Sequence, residues 1–125
     1  MSDISKVVDE CMLNGGTHYD IARIVDAHGL KGTHRYNDNG WEVFRNGSWV
    51  PDPRGASIGM TVMARVSAAC NERALYWQNL LLSGQSIDPD FDEQRVMSLM
   101  ELSLKFRDPK FLRDVVSECR SFLEV

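Results

Sequence analysis

The chain has 125 residues, 43% of them hydrophobic, and carries 14 Lys and Arg against 18 Asp and Glu, a formal net charge of −4. This length suits one domain, residues 1–125, with one core, burying about 65–70% of the surface its unfolded chain would expose. An acidic chain of pI near 5.3 is excluded from wrapping nucleic acid over its whole surface, which requires a basic stripe.

The charge is unevenly placed. Residues 1–30 carry two bases and five acids, 31–73 six bases and four acids, and 74–125 six bases and nine acids, so only the middle third is net positive. Cys11, Cys70 and Cys119 are odd in number, far apart and set at apolar positions of helical patterns. That fits buried reduced thiols better than disulfides or a metal site. There is no apolar run of about 18 residues, and Met1-Ser2-Asp3 opens neither a signal nor a transit peptide. The expectation is a soluble protein of the cytoplasm, or of the host cytoplasm or nucleus if viral, with no membrane partner.

In chain order, Ile4, Val7, Val8, Cys11 and Met12 repeat at helical spacing, which predicts a first helix ended by Gly15-Gly16. Thr17-His18-Tyr19-Asp20 resembles a capping box with Asp for Glu, and it opens a second helix over about His18 to His28 with Ile21, Ile24 and Val25 inside. Thr33 to Tyr36 reads as a strand, followed by a four-residue turn at Asn37-Asp38-Asn39-Gly40.

Trp41 to Val50 carries Asn46-Gly47 between alternating apolar residues, the strongest short-range hairpin signal. A two-residue turn there pairs Arg45 with Ser48, Phe44 with Trp49 and Val43 with Val50. A lone hairpin is marginal, so Phe44 and Trp49 are expected to pack against helices. Truncating Trp49 should then cost about 3–5 kcal/mol.

Beyond Pro51, Pro53 and Gly55, a face of Ile58, Val62, Val66, Ala69, Cys70, Arg73, Trp77, Leu80 and Leu81 predicts a third helix from about Ser57 to Ser83-Gly84. Asp90-Phe91-Asp92-Glu93 reads as a capping box for a fourth helix whose inner face is Val96, Leu99, Met100 and Leu104. Asp108-Pro109 is a cap followed by a first-turn proline, and it opens a fifth helix burying Phe111 or Leu112 with Val115, Val116, Cys119, Phe122 and Leu123. The fold class is therefore mainly α: about five helices with a small two- or three-stranded antiparallel hairpin insert at about 33–51.

The residues for catalysis are mostly missing. Asn14-Gly15-Gly16-Thr17 lacks the lysine of a phosphate loop. Asp88, Asp90 and Asp92 match the first acids of a calcium loop, but Glu93 and Leu99 stand where its glycine and bidentate glutamate belong. His18, His28 and His34 have no zinc spacing, and no base partner is identifiable for a nucleophile. No catalytic residue, metal or cofactor is expected. Candidate nucleic-acid contacts come in two sets. Arg35, Arg45 and Arg54 flank the aromatic hairpin, and Lys105, Arg107 and Lys110, with Arg113, straddle the turn before the last helix.

The order of elements carries a resemblance. The helix beginning Thr17-His18-Tyr19-Asp20-Ile21-Ala22, then a strand, Trp41-x-x-Phe44 with Trp49, a long helix, Leu104-Lys105-Phe106 and a closing Phe111-x-x-Asp114-Val115-Val116-x-Glu118-Cys119-Arg120-x-Phe122 occur in that order. This resembles the linking domain that precedes the superfamily-three helicase in primase-helicases of large DNA viruses, poxviruses included, and of phages and plasmids. The likeness runs from Thr17 to the C-terminus. It implies a non-catalytic collar module that supports helicase ring assembly and DNA positioning, inside a parent enzyme that would be an ATP-dependent helicase with primase activity. It also implies that Trp41, Phe44, Trp49, Phe111 and Phe122 are motif aromatics of the core. Expected partners are the helicase domain of the same polypeptide or replication proteins, DNA bound weakly and without sequence preference, and further copies in the parent assembly.

Two other readings stand beside it. One is a winged-helix DNA-binding regulator, with the second helix as reader and the Asn46-Gly47 turn as wing, although Arg23 is that helix's only fixed positive charge. The other is a protein-interaction adaptor docking through the hairpin.

Overall fold

The computed structural model describes residues 3–13 and 17–125. Among them the elements are α1 (Asp3–Leu13), α2 (His18–Ala27), β1 (His34–Asn37), β2 (Gly40–Arg45), β3 (Ser48–Pro51), α3 (Ala56–Leu82), α4 (Pro89–Lys105) and α5 (Pro109–Leu123). The three strands form one antiparallel sheet in the order β1-β2-β3. The architecture is mainly helical with a small β insert, as the periodicity predicts. The expected stop at Gly15-Gly16 lies outside the described residues.

Caps set the helix starts. The Thr17 hydroxyl accepts from the Asp20 N–H at 3.2 Å and donates to Asp20 Oδ2 at 2.7 Å. Asp108 accepts from the Lys110 N–H at 3.0 Å, ahead of Pro109. The fourth helix starts earlier than predicted. Its cap is Asp88, which accepts from the Phe91 N–H at 3.2 Å with Pro89 as the first helical residue, and Asp92 instead accepts from the Ser86 hydroxyl.

The core is built from facing stripes of the helices. Val8 and Cys11 of α1, Ile21 and Ile24 of α2, Ile58, Val62, Val66 and Cys70 of α3, and Val115 and Cys119 of α5 are fully inaccessible. On α4 the inner face differs from the predicted one. Val96 and Leu99 are buried, but Met100 and Leu104 are each 54% exposed, and Leu102 and Phe106 take the inward positions. Phe106, just past the end of α4, is the largest fully buried side chain and meets Phe111 edge-on at 5.3 Å. Phe111 and Phe122 are half-buried at the core margin, against His18 at 5.2 Å and Tyr19 at 5.9 Å.

The hairpin register is as expected: Arg45 opposite Ser48, Phe44 opposite Trp49, Val43 opposite Val50. Asn46 and Gly47 take φ of 52° and 84°, both positive as a type I′ turn demands. The β1–β2 turn is tighter than predicted, since Asn37 and Gly40 are paired and only Asp38 and Asn39 lie between them. The inward face is also not the one expected. Successive strand residues point to opposite sides, and Trp41 and Val43 are buried, which turns Phe44 and Trp49 outward. Phe44 is 42% exposed and stacks edge-on with the half-buried Trp49 at 5.3 Å, so Phe44 and Trp49 are not core residues.

Candidate nucleic-acid interface

A groove of about 910 Å³ runs between the sheet and α5, and its wall begins with the link from β3 to α3. Asp52, 5% exposed, uses both carboxylate oxygens to accept the N–H groups of Ser57 at 2.8 Å and Ile58 at 3.0 Å, which pins the start of α3. The same residue donates its own N–H to the Trp41 carbonyl at 2.9 Å, tying that start to the sheet. Gly55 follows at φ 67°, and a Cβ there would stand 3.0 Å from Trp41 Cδ1 and 3.2 Å from Ile58 Cγ2. The indole therefore packs where a side chain would otherwise be.

Arg54 lies on this wall in a left-handed conformation, φ 58° and ψ 15°. The opposite wall is α5, which brings Lys110, Arg113 and Arg120 to the groove, with Asp114 among them. Tyr36, Trp41, Met60, Leu112 and Val116 supply apolar and aromatic surface between the cations. The Arg120 guanidinium lies over the Tyr36 ring at 4.6 Å, within cation–π range. Four cations stand against the carboxylates of Asp52 and Asp114, so positive charge predominates along the groove.

The predicted contacts thus divide. Arg54 from the first set and Lys110 and Arg113 from the second come together in this groove, although the two sets are far apart in the chain. Arg35 does not join them. Its Nε donates to Glu42 at 2.7 Å on the outer sheet face, and its guanidinium covers Trp49 at 4.3 Å. The Arg35 hydrogen bond, helped by Asn37 at 2.6 Å, holds the Glu42 carboxyl below its usual range. Arg45 is exposed beside the Asn46-Gly47 turn, Lys105 sits 5.9 Å from the Phe111 ring centre, and Arg107 is exposed in the link before α5. None of these lines the groove. Arg120 was absent from both predicted sets. The signal was present, because Lys110, Arg113, Ser117 and Arg120 follow i, i+3, i+7, i+10, one stripe of a helix.

One serine–histidine pairing leaves no mark in the sequence spacing. His34 Nε2 lies 3.3 Å from Ser57 Oγ, and Nδ1 lies 2.9 Å from Thr33 Oγ1. The Thr33 hydroxyl gives its proton to the Leu30 carbonyl at 3.2 Å. Nδ1 must then donate to Thr33, which leaves Nε2 to accept from Ser57. Burial lowers the His34 pKa, Asp52 opposes that and Arg45 adds to it, and the lowering favours the neutral imidazole. Acyl transfer also needs donors for an oxyanion, but the nearby N–H groups of Ser57 and Ile58 are taken by Asp52. The geometry serves to fasten β1 to the start of α3.

Burial pushes the thiols of Cys11, Cys70 and Cys119 up to about 12. Among the described residues no group of three or more His, Cys, Asp and Glu side chains could hold a metal ion, and no helix is long and apolar enough to cross a membrane. No protein-family model matches the chain, and no curated protein and no solved structure matches it either.

Proposed function

We propose that this chain is a non-catalytic linking module of a replicative primase-helicase of viral or phage type, which supports ring assembly and positions DNA for the helicase. The observation that carries the reading is the convergence of Arg54 with Lys110, Arg113 and Arg120 in one groove. Four cations gathered in one concave strip of an acidic protein can hold a nucleic-acid backbone locally without wrapping it. The helix, meander, long helix and closing helix stand in the order on which the sequence resemblance rests. For assembly, Met97, Met100 and Leu104 form an i, i+3, i+7 stripe on α4, each 54–55% exposed. That stripe also favours the adaptor reading in part, because an apolar helix face left open to water is a surface for a partner.

The winged-helix alternative fits less well. The helix that would read the major groove, α2, packs Ile21, Ile24 and Val25 into the core and lies against both α1 and α5. Its cation, Arg23, faces Glu10 at 3.4 Å.

Titration of the full chain with a labelled single strand and a labelled duplex tests the proposal. Dissociation constants of roughly 10⁻⁴ to 10⁻⁶ M at physiological salt are expected, the non-specific range. Alanine at Arg54, Lys110, Arg113 and Arg120 together should abolish binding, while alanine at Lys105 and Arg107 should leave it nearly unchanged. Sequence-selective duplex binding at about 10⁻⁸ M or tighter would overturn the proposal. Incubated alone with magnesium and ATP, the chain should release phosphate no faster than buffer.

A further inference from the structure

We infer that the groove between the sheet and α5 seats an unpaired nucleic-acid strand, with Arg54, Lys110 and Arg113 on phosphates and the Arg120 guanidinium, backed by the Tyr36 ring, as a stacking surface for a base. The inference rests on the DNA-positioning reading and names the form of nucleic acid that it requires.

The first observation is the backbone of Arg54. A side chain at φ 58° is strained where glycine would not be, and Gly55 beside it is also left-handed. Nothing in the turn's own hydrogen bonding requires an arginine at that position: its closing bond runs from the Gly55 N–H to the Asp52 carbonyl at 3.0 Å. What the arginine adds is a guanidinium at the groove, opposite the cations of α5. Strain kept at a residue whose contribution is a charge is the pattern of a binding position.

The second observation is the surface between the cations. Met60 is 68% exposed in the groove, and Tyr36 is half-buried there under the Arg120 guanidinium. With Arg120 over the ring and Trp41 edge-on to it at 5.1 Å, the surface this pair offers is the guanidinium, on which unstacked bases lie. A duplex hides its bases and would meet these walls with phosphate alone, leaving the apolar surface wet. An unpaired strand satisfies both the cations and the surface between them.

The test uses the full chain with fluorescein-labelled sixteen-residue oligothymidylate and a labelled duplex of equal length, from 25 to 200 mM NaCl. The single strand should bind about tenfold more tightly than the duplex. Each phosphate contact contributes about 0.7 to the slope of log K against log salt for a single strand. Arg54→Gly should therefore reduce the slope by about 0.7 and weaken binding about three- to tenfold, while raising the Tm by about 2–5 °C through relief of strain. Arg54→Lys should keep both slope and Tm. Tyr36→Leu should weaken single-strand binding about tenfold with no change in slope.

Equal affinity for strand and duplex, with an unaltered slope in Arg54→Gly, would overturn this inference and leave the DNA-positioning reading standing. Displacement of the strand by polyglutamate at matched charge would assign the groove to an acidic peptide and overturn it too. Absence of binding to either nucleic acid at 25 mM salt would overturn both readings together.

Discussion

Arg73 and Asp9 meet in a two-point ion pair, Nη2 to Oδ2 at 2.7 Å and Nε to Oδ1 at 3.1 Å, which fastens α1 to the middle of α3. The Trp77 indole N–H also donates to Asp9 Oδ1, at 3.3 Å, and the Arg73 guanidinium lies over the Tyr76 ring at 4.2 Å. With Arg73 only 6% exposed, removing one partner strands the other charge in a poorly solvated place. Arg73→Ala should lower stability by about 3 kcal/mol. Trp77→Phe, which removes one donor, should cost about 1 kcal/mol. Urea midpoints followed by circular dichroism measure both, and a loss below about 1 kcal/mol for Arg73→Ala would show that α1 is held by its apolar stripe alone.

The two faces of the sheet predict opposite outcomes for two tryptophans. Trp41 is 9% exposed and packs on Gly55 and Tyr36, so Trp41→Ala should cost about 3–5 kcal/mol. Trp49 loses only a cross-strand partner and the stacked Arg35, so Trp49→Ala should cost about 1 kcal/mol. Equal costs in thermal or urea denaturation would contradict the assignment of inner and outer faces.

His34 makes stability depend on pH in a definite direction. Its folded pKa is lowered, chiefly by burial, from the ordinary 6.5. Between the folded and unfolded values the unfolded chain binds the proton and the folded chain does not, so stability rises with pH there. The contribution is complete above about 6.5 and is lost as the pH falls through the folded value. Urea midpoints at pH 5, 6, 7 and 8 should decline toward acid for the wild type, and His34→Gln should flatten that decline.

Two left-handed glycines separate conformational strain from steric clash. Gly29 at φ 68° has nothing within 4 Å of an added Cβ, whereas at Gly55, φ 67°, the added atom meets the Trp41 side chain at 3.0 Å. Gly29→Ala should cost about 1 kcal/mol from backbone alone. Gly55→Ala should cost about 1–3 kcal/mol more, because the indole has to move. Similar midpoints for the two variants would mean that Trp41 shifts at no cost.

What was legible in the chain was whatever is decided locally. Asn46-Gly47 sets a two-residue turn, and the turn sets the register of Phe44 with Trp49. Thr17 and Asp108 lie next to the N–H groups they cap. The inner face of the sheet was not legible, because Trp41 and Val43 on one side and Phe44 and Trp49 on the other are equally apolar. Only packing against α3 chooses between them. The same ambiguity affected α4, where Val96, Leu99, Met100, Leu102 and Leu104 offer apolar residues to more than one face. The groove was half legible: its cations on α5 follow helical spacing, but their approach to Arg54 depends on the tertiary fold and leaves no trace in local pattern.

The burial of the cysteines has a practical consequence for spectroscopy. Cys11, Cys70 and Cys119 are fully inaccessible, and with pKa values about 12 they hold almost no thiolate at neutral pH. Maleimides and other thiol-directed reagents attack exposed thiolate. The native protein therefore behaves toward them as if it contained no cysteine. A single cysteine introduced on an exposed site, such as Ser48 beside the hairpin turn, would take a dye or spin label selectively without prior removal of the natural thiols. Uptake of label by the unaltered chain, in turn, would report opening of the core.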